Sequence, residues 1–267
     1  LFRNVSNRKM LSWAAFFLLL PVAVDTLTQI FGVSLSAPAV EAQWHYCRKY
    51  GITEENFGYW LRDADSYAQV FQFLIQGALV RVQEFVDGNR YFKVLGLFLI
   101  GYYIGRQKIY ADLSAHRHLL RRVSVIGFSV GLPLSVVYAW SAVGGHPLGN
   151  AAHSLLYAVS VYPLGFAYMS SLCLLYLRSS RSAVWRALVA PGRMALTNYI
   201  CQSIAGMFLF YGIGFGLGAG VGLSQTEIIA LGVFVLQMLL SRLWLHYCQF
   251  GPLEWIWRML NYGKPLQ

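Results

Sequence analysis

The sequence predicts an all-α polytopic membrane protein: a bundle of six spanning helices, one amphipathic helix on the outer side and a short interfacial helix at the C-terminus. Three observations carry this. Hydrophobic residues make up 57% of the 267 positions and charged residues 12%, against about 25% charged in a soluble domain. Apolar runs near the roughly 20 residues needed to cross hydrocarbon recur along the chain. The basic residues gather in short segments between those runs, as cytoplasmic loops do. The formal net charge of +10 therefore reads as orientation in a lipid bilayer, and nucleic acid is not an expected partner.

The first span is residues 10–31. Arg8 and Lys9 precede it as they would a signal peptide, but no small-residue cleavage site leads into a soluble domain, so it is read as retained. Inside it lies Asp25, a carboxylate that at this depth needs a cation, a proton or water. Residues 67–85 carry Gln72, Gln76, Arg81, Gln83 and Glu84 among apolar neighbours and read as the amphipathic surface helix, with Arg81 and Glu84 spaced to pair. Residues 91–105 form a short second span with Lys93 near its start. Gly101 and Gly105, four apart, predict close packing beside Arg106.

The remaining spans are 123–143, 151–177, 194–217 and 226–248. Six spans with both termini inside place fifteen of the 21 basic residues on the cytoplasmic side, Arg3 and Lys264 among them. The outer turns 144–150 and 218–225 have none. Trp13, Trp140, Trp185, Trp244, Trp255 and Trp257 fall near span ends, where an indole prefers the headgroup layer. Glycines 212 to 222 alternate; continued as helix, Gly212, Gly216 and Gly220 would share a packing face, with fraying near Gly218. Residues 252–262 put Leu253, Trp257 and Leu260 on one face of the interfacial helix. Cys47, Cys173, Cys201 and Cys248 show no ligand spacing and read as small hydrophobes; no metal site is expected.

Two runs stand out chemically. Gly192-Arg193-Met194-Ala195-Leu196-Thr197-Asn198-Tyr199 opens the fifth span, with Gln202 one turn beyond Asn198 on the same face. Gly251-Pro252-Leu253-Glu254-Trp255-Ile256-Trp257-Arg258 opens the C-terminal helix. One reading is a polar groove with an anion-binding mouth at Arg193. The other is an arginine reaching lipid phosphate while Asn198 and Gln202 join two helices. His146 and His153, seven apart, would stand about 10 Å apart on a continuous helix, too far to share a ligand without a loop bend. Either suits a general base for an outward-facing acceptor or a water-bonded interfacial histidine.

These two runs resemble the C-terminal signature of the YeiB-like bacterial inner-membrane family, a domain of unknown function distantly similar to membrane acyltransferases of the heparan-glucosaminide acetyltransferase type. Residues 95–106 match more loosely. The family's Asp-x-x-Arg-Gly motif and further N-terminal spans are missing from 1–267 and the chain opens on Leu1, so the expectation is the C-terminal portion of a longer protein, forming a single transmembrane domain. The resemblance implies transfer of an acyl group from a cytoplasmic carrier, such as a coenzyme A thioester, to an acceptor at or across an inner membrane. It implies an acyl-transferring histidine in the N-terminal half. Arg193, Arg258 and Arg106 become candidates for an anionic donor, and Asn198 and Gln202 candidates for the cavity wall. The alternative is a transporter or flippase-like protein that uses the same polar residues without bond chemistry.

Overall fold

The computed structural model describes residue 2 and residues 5–263; Arg3 and Lys264 lie outside the described residues. Among these residues there are twelve α-helices and no strand. They are α1 (Asn7–Phe31), α2 (Ala37–Tyr50), α3 (Glu54–Phe57), α4 (Trp60–Asp63), α5 (Tyr67–Asp87), α6 (Arg90–Arg106), α7 (Arg117–Val143), α8 (Asn150–Ser179), α9 (Ala183–Arg193), α10 (Ala195–Phe210), α11 (Leu223–Tyr247) and α12 (Pro252–Tyr262). Four of them, α1, α7, α8 and α11, are long and apolar enough to cross a membrane. Their outer faces are crowded with large apolar side chains, such as Ile30, Val136 and Leu239, that water would not tolerate in such density. α6 and α10 have 17 and 16 residues, so at 1.5 Å per residue they reach about 24–26 Å, less than a hydrocarbon core of about 30 Å.

The chain divides into two compact units. The first comprises residues up to Glu41 together with Leu79–Ser180; the second comprises Ala42–Ala78 and residues from Arg181 onward. In the first, α7 and α8 are joined by the short turn 144–149 and pack closely because glycine faces backbone. A Cβ on Gly127 would strike the Pro163 carbonyl and stand 2.8 Å from Ala167 Cβ; one on Gly131 would stand 2.9 Å from Leu164 Cβ. Ser124 and Ser171 bridge the same seam, Oγ to Oγ at 2.6 Å. Small residues that admit a second backbone are how helices associate where water gives no driving force. α1 packs on α6 in the same manner: Gly96 seats against Leu18 and the Ala14 carbonyl, above a core of Met10, Ala14 and Leu99.

The glycine pair expected to pack does not. A Cβ on Gly101 or Gly105 would meet nothing within 4 Å. The contact falls five residues before Gly101, at Gly96, which faces Leu18 and the Ala14 carbonyl of α1. Of the four cysteines only Cys47 is buried; Cys201 is exposed.

In the second unit the fifth expected span ends early. α10 stops at Phe210, and the glycine run is not helical. It folds back beneath the helix instead. The N–H groups of Phe215, Leu217 and Gly218 donate to the carbonyls of Phe208, Leu209 and Phe210, satisfying acceptors that a helix C-terminus leaves open. Only glycine fits this course. A Cβ on Gly214 or Gly218 would run into Phe208 or Phe210 backbone, and one on Gly212 into the carbonyls of Arg62 and Ala64, where Gly212 N–H bonds Leu61 O at 2.8 Å. The face proposed for Gly212, Gly216 and Gly220 therefore does not form. α12 runs over the residues expected of it, started by Pro252 in its first turn and stopped by Gly263 at φ 63°.

Candidate functional site

The two signature runs meet in the second unit. α10 begins after Met194 with no side chain of its own to cap it. Glu254, from α12, takes that role: Thr197 N–H donates to Oε1 at 3.0 Å and the Thr197 hydroxyl donates to Oε2 at 2.5 Å. The favour is returned, because Leu253 N–H in the first turn of α12 donates to Thr197 Oγ1 at 3.1 Å. Each helix start thus caps the other. Gly251 permits the approach, since a Cβ there would strike the Glu254 carboxylate and come within 2.9 Å of Thr197 Oγ1. Burial pushes the Glu254 carboxyl up, but the bonds from the Thr197 hydroxyl and backbone outweigh it and hold the group below its ordinary range.

Deeper along α10 the polar side chains are taken up by α11. Asn198 Nδ2 donates to Ser241 Oγ at 2.9 Å, and Ser241 donates back to Asn198 Oδ1 at 3.3 Å. Gln202 Nε2 donates to Gln237 Oε1, and Gln237 Nε2 to Asn198 O, each at 2.9 Å. Asn198 also lines a mainly apolar cavity of about 490 Å³ with Met194, Gln237 and Ser241. Arg193 and Arg258 are both exposed, and both reach one corner: Arg193 donates to Gln249 O at 2.7 Å, and the Arg258 guanidinium lies 4.2 Å from the centre of the Phe250 ring. Trp244 Nε1 fixes that corner by donating to Phe250 O. Arg106 belongs to the first unit, where it donates to Val5 O at 2.7 Å.

The first unit holds a second polar constellation. Asp25 on α1 accepts from Asn89 Nδ2 at 2.8 Å and, in a shorter bond, from the Ser154 hydroxyl on α8. These residues line a cavity of about 440 Å³ together with Gln29, His146 and His153. A loop bend does bring the histidines together. Gly145 and His146 both take positive φ, 68° and 62°, and the rings of His146 and His153 come to 4.0 Å between centroids. His153 Nδ1 is hydrogen-bonded to Ser141 Oγ at 3.1 Å, and its ring stacks on Tyr138.

A neighbouring cavity of about 470 Å³ shares Asp87, His153 and Ser154 and adds Lys93, Tyr138 and Tyr157. Lys93 Nζ lies 4.1 Å from the centre of the Tyr157 ring. Glu84 is occupied at the rim by Arg81 at 2.7 Å, the expected pair, and by Arg90 at 3.3 Å. Farther along α1 and α8, an apolar cavity of about 590 Å³ has Arg122 as its one charged lining residue.

Sequence reasoning singled out Asp25, His146 and His153 but missed Asn89 and Ser154. Asn89 carried a signal: an Asn after Gly88 and before an apolar run marks a helix start. It stands at the N-cap position of α6 in the left-handed conformation, φ 48°, and its side chain makes no capping bond, its amide going to Asp25 instead. Ser154 carried none. Gln237 and Ser241 could have been found as an uncharged polar pair four apart toward the middle of the sixth span, matching Asn198 and Gln202 in kind.

Comparison with known proteins agrees with the signature runs. The chain is 30% identical over 166 residues to the uncharacterized protein YxaH of Bacillus subtilis (strain 168), covering 62% of this chain and 39% of that protein. It is 28% identical over 207 residues to an uncharacterized 39.9 kDa protein from the amylase 3′ region of Bacillus acidopullulyticus, covering 72% of this chain and 58% of that one. With YeiB of Escherichia coli (strain K12) the identity is 26% over 217 residues, 76% of this chain and 55% of YeiB. The chain thus spans less than two thirds of the length of each. No solved structure matches it. The family described as "Protein of unknown function (DUF418)" matches residues 104–264, more than half of the sequence, and the chain, a membrane protein by its apolar helices, belongs to that YeiB-like family.

Proposed function

We propose that this is a bacterial inner-membrane protein of acyltransferase type, with six spans, cytoplasmic termini and a polar acceptor pocket in its first unit. α6 and α10 complete the six, the folded-back glycine run making up the depth α10 lacks. The observation that carries the reading is the Asp25–Ser154–His153 constellation: a carboxylate, a hydroxyl and an imidazole lining one cavity between helices otherwise apolar. With Nδ1 engaged by Ser141, the free nitrogen of His153 is available for a proton.

In the reaction, a hydroxyl or amine of the acceptor attacks the acyl carbonyl. A bond forms from that oxygen or nitrogen to the acyl carbon, and the carbon–sulfur bond to the carrier breaks. His153 removes the acceptor proton, which ends on the departing thiolate. Asp25 and Ser154 orient the acceptor. In the second unit Arg193 and Arg258 converge on the 249–250 corner and suit the phosphates of a coenzyme A thioester; Arg106, in the first unit, is a separate candidate for an anionic group. Asn198 forms part of the wall of its cavity, and Gln202 braces that wall through Gln237. The 590 Å³ apolar cavity suits the hydrocarbon of an acyl group.

The test is mass spectrometry of envelope acceptors after feeding an isotope-labelled acyl precursor, in cells expressing wild type, His153→Ala or Arg193→Ala at matched protein level. Loss of the labelled product in both variants is the expected result. Movement of an unmodified compound across the membrane would replace the reading with transport. Undiminished product in both variants would remove it.

A further inference from the structure

The cavity lined by Lys93 is rich in donors that nothing answers. Lys93 sits in the first turn of α6, half-buried, with its ammonium against the face of the Tyr157 ring and the Asp25 carboxylate acting on it only through space; among the described residues none of its three N–H groups has a hydrogen-bond or ion-pair partner. The hydroxyls of Tyr138 and Tyr157, lining the same cavity, have no hydrogen-bond partner there either. The nearby acceptors are committed elsewhere: Glu84 to Arg81 and Arg90, Asp25 to Asn89 and Ser154. Asp87 stands exposed at the rim. A half-buried ammonium is costly without an anion in contact, and a phenol without an acceptor wastes its donor.

We propose that this cavity takes an oxyanion, the phosphate of a phosphate-bearing ligand, on Lys93 and the hydroxyls of Tyr138 and Tyr157. The three residues are linked to the imidazole pair by ring contacts: Tyr157 edge-on to Tyr138 at 5.8 Å, Tyr138 stacked on His153 at 4.6 Å. A phosphate seated on Lys93 therefore leaves the rest of the ligand facing His153. This rests on the reading of the pocket as an acceptor site and narrows its substrate class to phosphate-bearing compounds, soluble or lipid. An ammonium is a point charge that grips phosphate without demanding a planar fork, which suits a headgroup entering at varied angles.

The experiment is thermal stability and direct binding of the purified full-length protein with sn-glycerol 3-phosphate, and in nanodiscs of phosphatidylglycerol against a phosphate-free glycolipid. Concentration-dependent stabilisation by the soluble probe assigns a soluble phosphate, and stabilisation in phosphatidylglycerol alone assigns a lipid headgroup; either supports the site. Lys93→Gln is expected to weaken binding about tenfold or more, Tyr157→Phe less, and Lys93→Arg to restore most of it, with circular dichroism unchanged. No stabilisation by either source, or equal binding by Lys93→Gln, overturns the proposal. Phosphate binding without any acylated product would end the acyl-transfer reading and keep this site. An acylated product indifferent to Lys93→Gln would do the reverse.

Discussion

Two places in this protein put polar side chains among apolar helices, and they differ in how those side chains are satisfied. In the second unit, Thr197, Glu254, Asn198, Ser241 and Gln237 answer one another, and no buried side-chain nitrogen or oxygen there lacks a partner among the described residues. In the first unit the buried atoms of Asn7 Oδ1, Asn89 Oδ1 and Tyr162 OH have none, and Lys93, Tyr138 and Tyr157 leave donors unused beside a cavity. Closed polar networks hold helices together; open ones are held ready for something else. The sequence shows polar residues in both places, and only the accounting of partners separates their roles.

The contrast can be broken first where the largest effect is expected. Glu254→Ala leaves the Thr197 hydroxyl and N–H without their acceptor and is expected to cost about 2–3 kcal/mol of stability, read as a lowered thermal midpoint, while glycerol phosphate binding by the first unit persists. Acid should act on the same contact. Because the Glu254 carboxyl is held below its ordinary range, its contribution is present above that range and is lost as pH falls through it to the depressed native value. Proteolysis of the C-terminal helix should therefore rise with acidification in wild type and show no such step in Glu254→Gln.

Asn198→Leu should cost about 1 kcal/mol, the scale of an interhelical bond within a membrane; full loss of activity at unchanged stability would instead make Asn198 a ligand group. Gly105→Ala, in open space on a helix, should stabilise by about 0.5 kcal/mol, whereas destabilisation would restore the packing role read from its spacing. Smallest of all, Lys93→Gln should leave the thermal midpoint of the ligand-free protein nearly unchanged.

What the sequence made legible were features that need no distant partner. The apolar runs became α1, α7, α8 and α11, and Pro252 with Gly263 bounded α12 as local rules require. The early end of α10 was hidden because the N–H groups that cap it come from a glycine run folding back on it, and alternation alone does not show the fold-back. Gly101 and Gly105 had the right spacing and the wrong surroundings, whereas Gly96 and Gly127 each faced a specific backbone on another helix. The histidine pair required three positive-φ residues, Gly145, His146 and Gly149, in one turn. Asn198 and Gln202 were visible as polar residues in an apolar helix, but whether they were joined or waiting depended on Ser241 and Gln237, some forty residues on.

The most direct test is a density map of the protein in its native lipid at a resolution that shows side-chain contacts around Lys93. The account predicts density the size of a phosphate group against the Lys93 ammonium and the Tyr157 hydroxyl. An ammonium folded directly onto Asp87 or Asp25, with nothing between them and the tyrosine hydroxyls bonded within the protein, would contradict it.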